Sequence, residues 1–154
     1  MPGGRSPAER LYRLVTEHAR LTGTEKVWDI YCGAGSIALA LAPFAASVFG
    51  CDGLTVAVKA AAENAARLGF AHCDFAAGDL PELLAARAGK ESPDVIVVDP
   101  PRTGLEEGVR NFLGAASARR LAHVARGRGG PVHLHVAEQT AEGEDCLTAT
   151  GRRP

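Results

Sequence analysis

Val27-Trp28-Asp29-Ile30-Tyr31-Cys32-Gly33-Ala34-Gly35-Ser36-Ile37 is the stretch that decides the fold. A short apolar run ends in Asp-x-x-x-Gly-x-Gly and passes directly into Ile37-Ala38-Leu39-Ala40-Leu41-Ala42, a helix-forming segment. The pattern reads as a strand, a tight glycine turn at Gly33 and Gly35, and a helix N-terminus that starts at Ser36. Such a unit brings backbone N–H groups up to a nucleotide-like ligand. Gly-x-Gly alone also serves ordinary turns. Three acidic residues follow in order and sharpen the reading: Asp52 after a second strand, Asp79 after a third, and Asp99, within Asp99-Pro100-Pro101-Arg102, after a fourth.

Outward from this core, Pro7 to Arg20 reads as a helix, with Leu11, Leu14, Val15 and His18 on one face and Ser6 as N-cap. Leu21-Thr22-Gly23 is expected to end it. Strands are expected over Lys26–Tyr31, Ser47–Cys51, His72–Ala76, Asp94–Val98 and Arg120–Val124. Helices are expected over Ser36–Leu41, Thr55–Leu68, Leu80–Ala88 and Glu106–Ala115. Wholly apolar strands alternating with helices imply an α/β fold, Rossmann-like, with a mostly parallel sheet covered on both faces. The ligand then belongs at the carboxyl ends of the strands, where Tyr31, Asp52, Asp79 and Asp99 fall.

Three regions are expected: residues 1–6 disordered, residues 7–124 a ligand-binding core, and residues 125–154 an irregular, largely disordered tail. Ala125-Arg126-Gly127-Arg128-Gly129-Gly130-Pro131 is rich in breakers, and Pro131–Val136 has room for one more short strand. The closing strands of the sheet are therefore expected to be truncated.

The acidic positions separate this chain from a phosphate binder, which would want cations and a Gly-x-x-x-x-Gly-Lys-[Ser/Thr] loop. S-adenosylmethionine carries a sulfonium, an ammonium and ribose hydroxyls, all suited to carboxylates and carbonyls. Asp52 sits where two acceptor oxygens would grip a ribose diol. NAD is the rival ligand, but Leu39 stands where the third glycine of Gly-x-Gly-x-x-Gly would be. The residues thus point to a class I S-adenosylmethionine-dependent methyltransferase.

Composition narrows the setting. A chain of 154 residues with 46% hydrophobic and 5% aromatic residues makes one domain with a core of Ala, Val and Leu. A net charge of −1 gives no global pull toward nucleic acid. Arginine pairs at 119–120, 126 and 128, and 152–153 read as a solvated face before they read as an RNA patch. Cys32, Cys51, Cys73 and Cys146 have no zinc-like spacing, and His133 with His135 is weak support for a metal, so none is expected. With no signal peptide or long apolar run, a cytoplasmic, membrane-free protein is expected.

From Ala8 to Val124 the chain resembles the RNA (uracil-5-)-methyltransferase family, which modifies uridines in ribosomal and transfer RNA. The resemblance rests on Leu11-Tyr12 and Val15, Trp28-Asp29-Ile30-Tyr31-Cys32-Gly33-Ala34-Gly35, Gly50-Cys51-Asp52-Gly53, Glu63-Asn64-Ala65, Gly78-Asp79 and Val97-Val98-Asp99-Pro100-Pro101-Arg102-Thr103-Gly104-Leu105. It implies S-adenosyl-L-methionine as cofactor, contacted at Tyr31, Ser36, Asp52, Asp79 and Asp99, and RNA as partner of a monomer. Asp52 would accept from the ribose, Asp79 from the adenine amine, and Asp99 would face the ammonium or the target base. Ser36 capping its helix and Tyr31 serving in packing are the plainer alternatives.

The resemblance also exposes a gap. Enzymes of this family add a cysteine thiolate to uracil C6, because C5 is a poor nucleophile. That cysteine lies in a Val-Ser-Cys-Asn-Pro type string after the fifth strand, where this chain has Val124-Ala125-Arg126-Gly127-Arg128. Arg126 takes the cysteine position, and the His-x-Glu base string is matched only loosely by His135-Val136-Ala137-Glu138. No catalytic residue is therefore assigned. Cys32 is the candidate for another thiol. A disrupted reading frame accounts for the change at Ala125 more simply than a genuine variant does. The alternatives are a methyltransferase with another target, or a non-catalytic cofactor- or RNA-binding module.

Overall fold

Helix α1, Pro7–Ala19, starts with a reciprocal cap: the Glu9 N–H donates to Ser6 Oγ at 3.2 Å and the Ser6 N–H to Glu9 Oε2 at 2.9 Å. Its buried face is Leu11, Val15 and Ala19, while Leu14, expected beside them, is 36% exposed. The helix ends one residue early and without help from Gly23, because Arg20 itself takes the left-handed cap with φ 46°. The computed structural model describes residues 6–116, 118, 120–126 and 132–138.

The strands are β1 (Lys26–Ile30), β2 (Ser47–Asp52), β3 (Cys73–Ala77), β4 (Val95–Val98), β5 (Arg120–Arg126) and β6 (Val132–Glu138). Between them lie α2 (Ser36–Leu41), a short 3-10 turn (Ala42–Phe44), α3 (Thr55–Leu68), α4 (Leu80–Ala88) and α5 (Glu107–Ala115). The sheet order is β3-β2-β1-β4-β5-β6, parallel through β5, with β6 antiparallel. The Rossmann-like α/β expectation is the fold observed.

β1, β2 and β4 bury both faces, which is why their sequences read as nearly unbroken apolar runs. On one face Val27, Val48, Val95 and Val97 pack with Leu11 and Val15 of α1 and Ile37, Ala38 and Leu41 of α2. On the other, Trp28, Ile30, Phe49, Ile96 and Val98 pack with Leu80 and Leu84 of α4 and Val109 of α5. Trp28 anchors that second face, stacked on Phe112 at 5.9 Å and edge-on to Phe49 at 5.5 Å.

Gly50 is a glycine in mid-strand for a packing reason. A Cβ there would lie 2.6 Å from the Phe75 ring and 3.1 Å from Cys32 Sγ. The Phe75 ring fills the space the missing side chain leaves and reaches Gly35, where a Cβ would be 3.5 Å away. Gly50→Ala should therefore lower stability by about 1–3 kcal/mol through overpacking. Urea unfolding checks this, and an unchanged midpoint would mean that Phe75 moves aside freely.

The sheet continues where the irregular tail was expected. β5 runs two residues past Val124, and β6 pairs with it from Arg120↔Glu138 to Arg126↔Val132. The reason is local: Val132, Leu134 and Val136 alternate with His133 and His135, a period-two pattern, and β6 supplies partners for the backbone of β5. The disorder expected for Met1–Arg5 and for residues 139–154 concerns positions outside the described residues. Among those described, no helix is long and apolar enough to cross a membrane.

Candidate functional site

The order of the parallel strands reverses between β1 and β4, and a cleft of about 490 Å³ opens at their carboxyl ends. Asp52, Asp79, Asp99, Glu106 and Tyr31 make its polar wall, and Leu54, Leu80 and Pro101 its apolar one. Gly53 and Gly78 complete the lining, which among the described residues contains four carboxylates and no Lys, Arg or His. Four of the expected site residues thus meet in one cleft.

Asp52 ends β2 and does two local jobs. Its Oδ2 accepts the Gly33 N–H at 2.9 Å, and its Oδ1 accepts the Leu54 N–H at 2.9 Å. The carboxylate therefore fixes the glycine turn, and each oxygen keeps a second lone pair for a ligand hydroxyl. Gly33 and Gly35 both have positive φ, 54° and 85°. At Gly35 a Cβ would also lie 3.0 Å from Ala61 Cβ of α3, so this position of the turn is crowded as well as left-handed, whereas Gly33 has open space and is held to glycine by its φ alone.

Asp79 carries a role the sequence reading passed over: its Oδ1 accepts the Glu82 N–H at 3.0 Å and caps α4. Its other oxygen remains for the cleft. The Asp99 N–H donates to the Ile30 carbonyl at 3.2 Å, which joins the loop after β4 to the end of β1. Ser36 is exposed, lies outside the cleft lining and makes no capping bond; the N-cap of α2 is Gly35.

Tyr31 was expected to finish the first strand. It instead leaves the strand with φ 64°, a left-handed conformation that costs about 1–3 kcal/mol for a residue with a Cβ. Its hydroxyl accepts the Glu106 N–H at 3.3 Å and lies 3.5 Å from Glu106 Oε1. Burial, more than this neighbour, holds the phenol above its ordinary pKa. Glu106, Leu54, Leu80, Gly53 and Gly78 are lining residues that sequence reasoning did not assign to the site. The signal for Glu106 was its place just ahead of the helix at Glu107.

Asp29, read only as part of the turn motif, is 1% exposed and lies under that turn. Its Oδ2 accepts the Ala38 N–H of α2 at 3.0 Å, while Oδ1 is buried with no partner. Burial first, then the neighbouring Asp99 and Asp52 carboxylates, push its pKa from 3.8 up to about 8. The folded chain thus holds a proton that the unfolded chain has released. Stability from this group is complete below about pH 4 and falls as pH rises toward 8, by at most about 1.4 kcal/mol per unit. Asp29→Asn, which cannot ionise, should flatten that slope. Urea midpoints at pH 5 and pH 8 measure it, and equal slopes in both proteins would contradict the assignment.

Among the described residues, no thiol lines the cleft. Cys32 is 8% exposed, with its sulfur against Gly50 on the side of the sheet that carries Phe75. Burial, helped by Asp29, raises its pKa well above the ordinary thiol range, and burial pushes Cys51 up to about 12. Cys32, the candidate for another thiol, is therefore buried, held protonated and outside the cleft lining. Arg120, one of the clustered arginines, bonds the Arg20 carbonyl at 3.0 Å and Glu25 at 3.6 Å, a structural use. Among the described residues no group of three His, Cys, Asp or Glu is placed to hold a metal.

The methyltransferase-domain family matches residues 21–122. The chain belongs to that family. Its cleft fits the expected S-adenosylmethionine: carboxylates for cationic and hydroxyl groups, apolar side chains for a base, and no competing cation among the described residues. An RNA methyltransferase of Nitratidesulfovibrio vulgaris, described as uncharacterized, is 46% identical over 121 residues, which cover 76% of this chain and 26% of that protein. The chain thus spans about a quarter of the length of that relative.

Two solved structures place the fold. The tRNA (uracil-54, C5)-methyltransferase of Pyrococcus abyssi, in complex with S-adenosyl-L-homocysteine, is 27% identical with a TM-score of 0.61, over 76% of this chain and 28% of that one. A precorrin 8W decarboxylase of Methanobacterium thermoautotrophicum, 24% identical with a TM-score of 0.66, covers 81% of this chain and 66% of its own, and shares the fold alone.

Proposed function

We propose that this chain is the donor-binding core of an RNA uracil-5-methyltransferase, with S-adenosylmethionine in the acidic cleft and a uridine of ribosomal or transfer RNA as acceptor. The observation that carries the reading is the convergence of Asp52, Asp79, Asp99 and Glu106 on one cleft that no cation among the described residues lines. When bound, the cofactor supplies an electrophilic methyl group. Asp52 holds the ribose diol, Asp79 the adenine amine, and Asp99 the ammonium or the target base. Gly33 and Gly35 let the backbone come close, Tyr31 borders the pocket, and Ser36 marks the helix N-terminus beside it. Pro100 and Pro101 stiffen the loop that would receive a flipped base.

Residues 7–124 form this core, which acts as a cytoplasmic monomer on RNA. The uracil-5 assignment is supported by the Asp99–Leu105 string and by the pyrococcal neighbour, whose own substrate is a tRNA uridine. Titration calorimetry with S-adenosylmethionine tests the donor: saturable binding is expected, and its absence would sink the reading. The acceptor is tested by grafting residues 7–124 in place of the matching core of a full-length uracil-5 enzyme. Methylation at C5 by the chimera is the expected result, and transfer to another RNA atom would assign another target.

A further inference from the structure

We propose that the Tyr31 hydroxyl and Glu106 form a latch that holds the loop between β4 and α5 in place as the acceptor-side wall of the cleft. Both would be positioning residues. The inference rests on the methyl-transfer reading for its purpose, but the latch itself stands on geometry.

Tyr31 and Arg20 are the non-glycine residues with positive φ among those described. Arg20 has an ordinary reason, since it ends a helix. Tyr31 has none in its own element. A strained backbone persists where its surroundings over-determine it, and such strain gathers at sites that must be held in one shape. Here the conformation turns the Tyr31 side chain into the cleft, where its hydroxyl meets a residue 75 positions away.

The far side of the contact is equally telling. Glu106 is the N-cap residue of α5, yet its carboxylate makes no capping bond; its oxygen lies 3.5 Å from the Tyr31 hydroxyl instead. The Glu106 N–H, at 3.3 Å, makes the shorter of the two contacts. The loop is then fastened at both ends to the exit of β1: Asp99 N–H to the Ile30 carbonyl, and Glu106 to Tyr31. Between these ends Pro100 and Pro101 restrict the backbone, and the Gly104 N–H closes a turn onto the Pro101 carbonyl at 2.9 Å. Pro101 lines the cleft, while the next two residues, Arg102 and Thr103, are exposed. A loop held this way presents one fixed surface to an incoming base.

Hydrogen–deuterium exchange on the full chain tests the latch. In Tyr31→Phe, which keeps the ring and removes the hydroxyl, the amides from Arg102 to Glu106 should exchange about three- to tenfold faster, the range expected for one lost hydrogen bond. Amides of β4 should keep their rates, which separates local release from unfolding. Glu106→Gln, whose amide oxygen still accepts, should retain the protection. With S-adenosylhomocysteine saturating, Tyr31→Phe should also weaken binding of a uridine-containing RNA hairpin several-fold.

Unchanged loop exchange in Tyr31→Phe, or acceleration spread equally over β4, would overturn the latch. Failure of the wild-type chain to bind S-adenosylhomocysteine or the hairpin would instead count against the proposed function, and the exchange result would still decide the latch.

Discussion

Asp52→Ala should weaken S-adenosylmethionine binding by about two to four orders of magnitude. The argument starts from the two acceptor oxygens at the end of β2, each already engaged by a backbone N–H at 2.9 Å and each with a lone pair left. A ribose diol donates to both, and hydrogen bonds to a charged group contribute about 1.5–3 kcal/mol each. Losing the pair removes about 3–6 kcal/mol, at tenfold in affinity per 1.4 kcal/mol. The alanine variant also releases the Gly33 N–H, so the glycine turn loses the tie that sets its distance from the ligand. Asp52→Asn has one carbonyl oxygen where there were two acceptors, and should fall between the wild type and alanine. Titration calorimetry gives the affinities, and thermal unfolding of the free variants reports the loss of the turn. Equal cofactor affinity in Asp52→Ala would remove this residue from the site.

The sheet was legible in the sequence because parallel strands covered on both faces show as runs such as Val95-Ile96-Val97-Val98. The acids at strand ends were legible for a related reason, since the switch between β1 and β4 gathers the strand exits into one cleft. What escaped was set by distant partners. Tyr31 looked like strand because its left-handed turn is matched to Glu106, far along the chain. Gly50 looked like an ordinary strand position because its meaning lies in the Phe75 ring on β3. Asp29 read as punctuation, and its burial became visible only once α2 was folded over it. β6 was underestimated because five breaker-rich residues precede it, and strand pairing overrode that local signal.

No methyl transfer to C5 of uridine is expected from this chain by itself. C5 acquires the electron density to attack only after a thiolate adds to C6, so the nucleophile cannot be dispensed with. By resemblance its position is Arg126, which the structure places at the last residue of β5, two strands from the glycine turn in the sheet order. A guanidinium cannot serve as that nucleophile at neutral pH. The thiols that the structure describes give no substitute: Cys32 and Cys51 are buried with raised pKa values, and neither they nor Cys73 line the cleft. The acidic lining acts in the same direction, since carboxylates disfavour a thiolate beside them. A cysteine placed at residue 126 should not restore turnover alone, because the base string of the family is matched only loosely by His135–Glu138. Tritium release from C5-labelled uridine in RNA, with an equimolar full-length family enzyme as control, measures the step directly. Background release is the expected result even where calorimetry shows cofactor bound. Stoichiometric release would mean that a thiol outside the described residues, with Cys146 the first to replace, reaches the cleft.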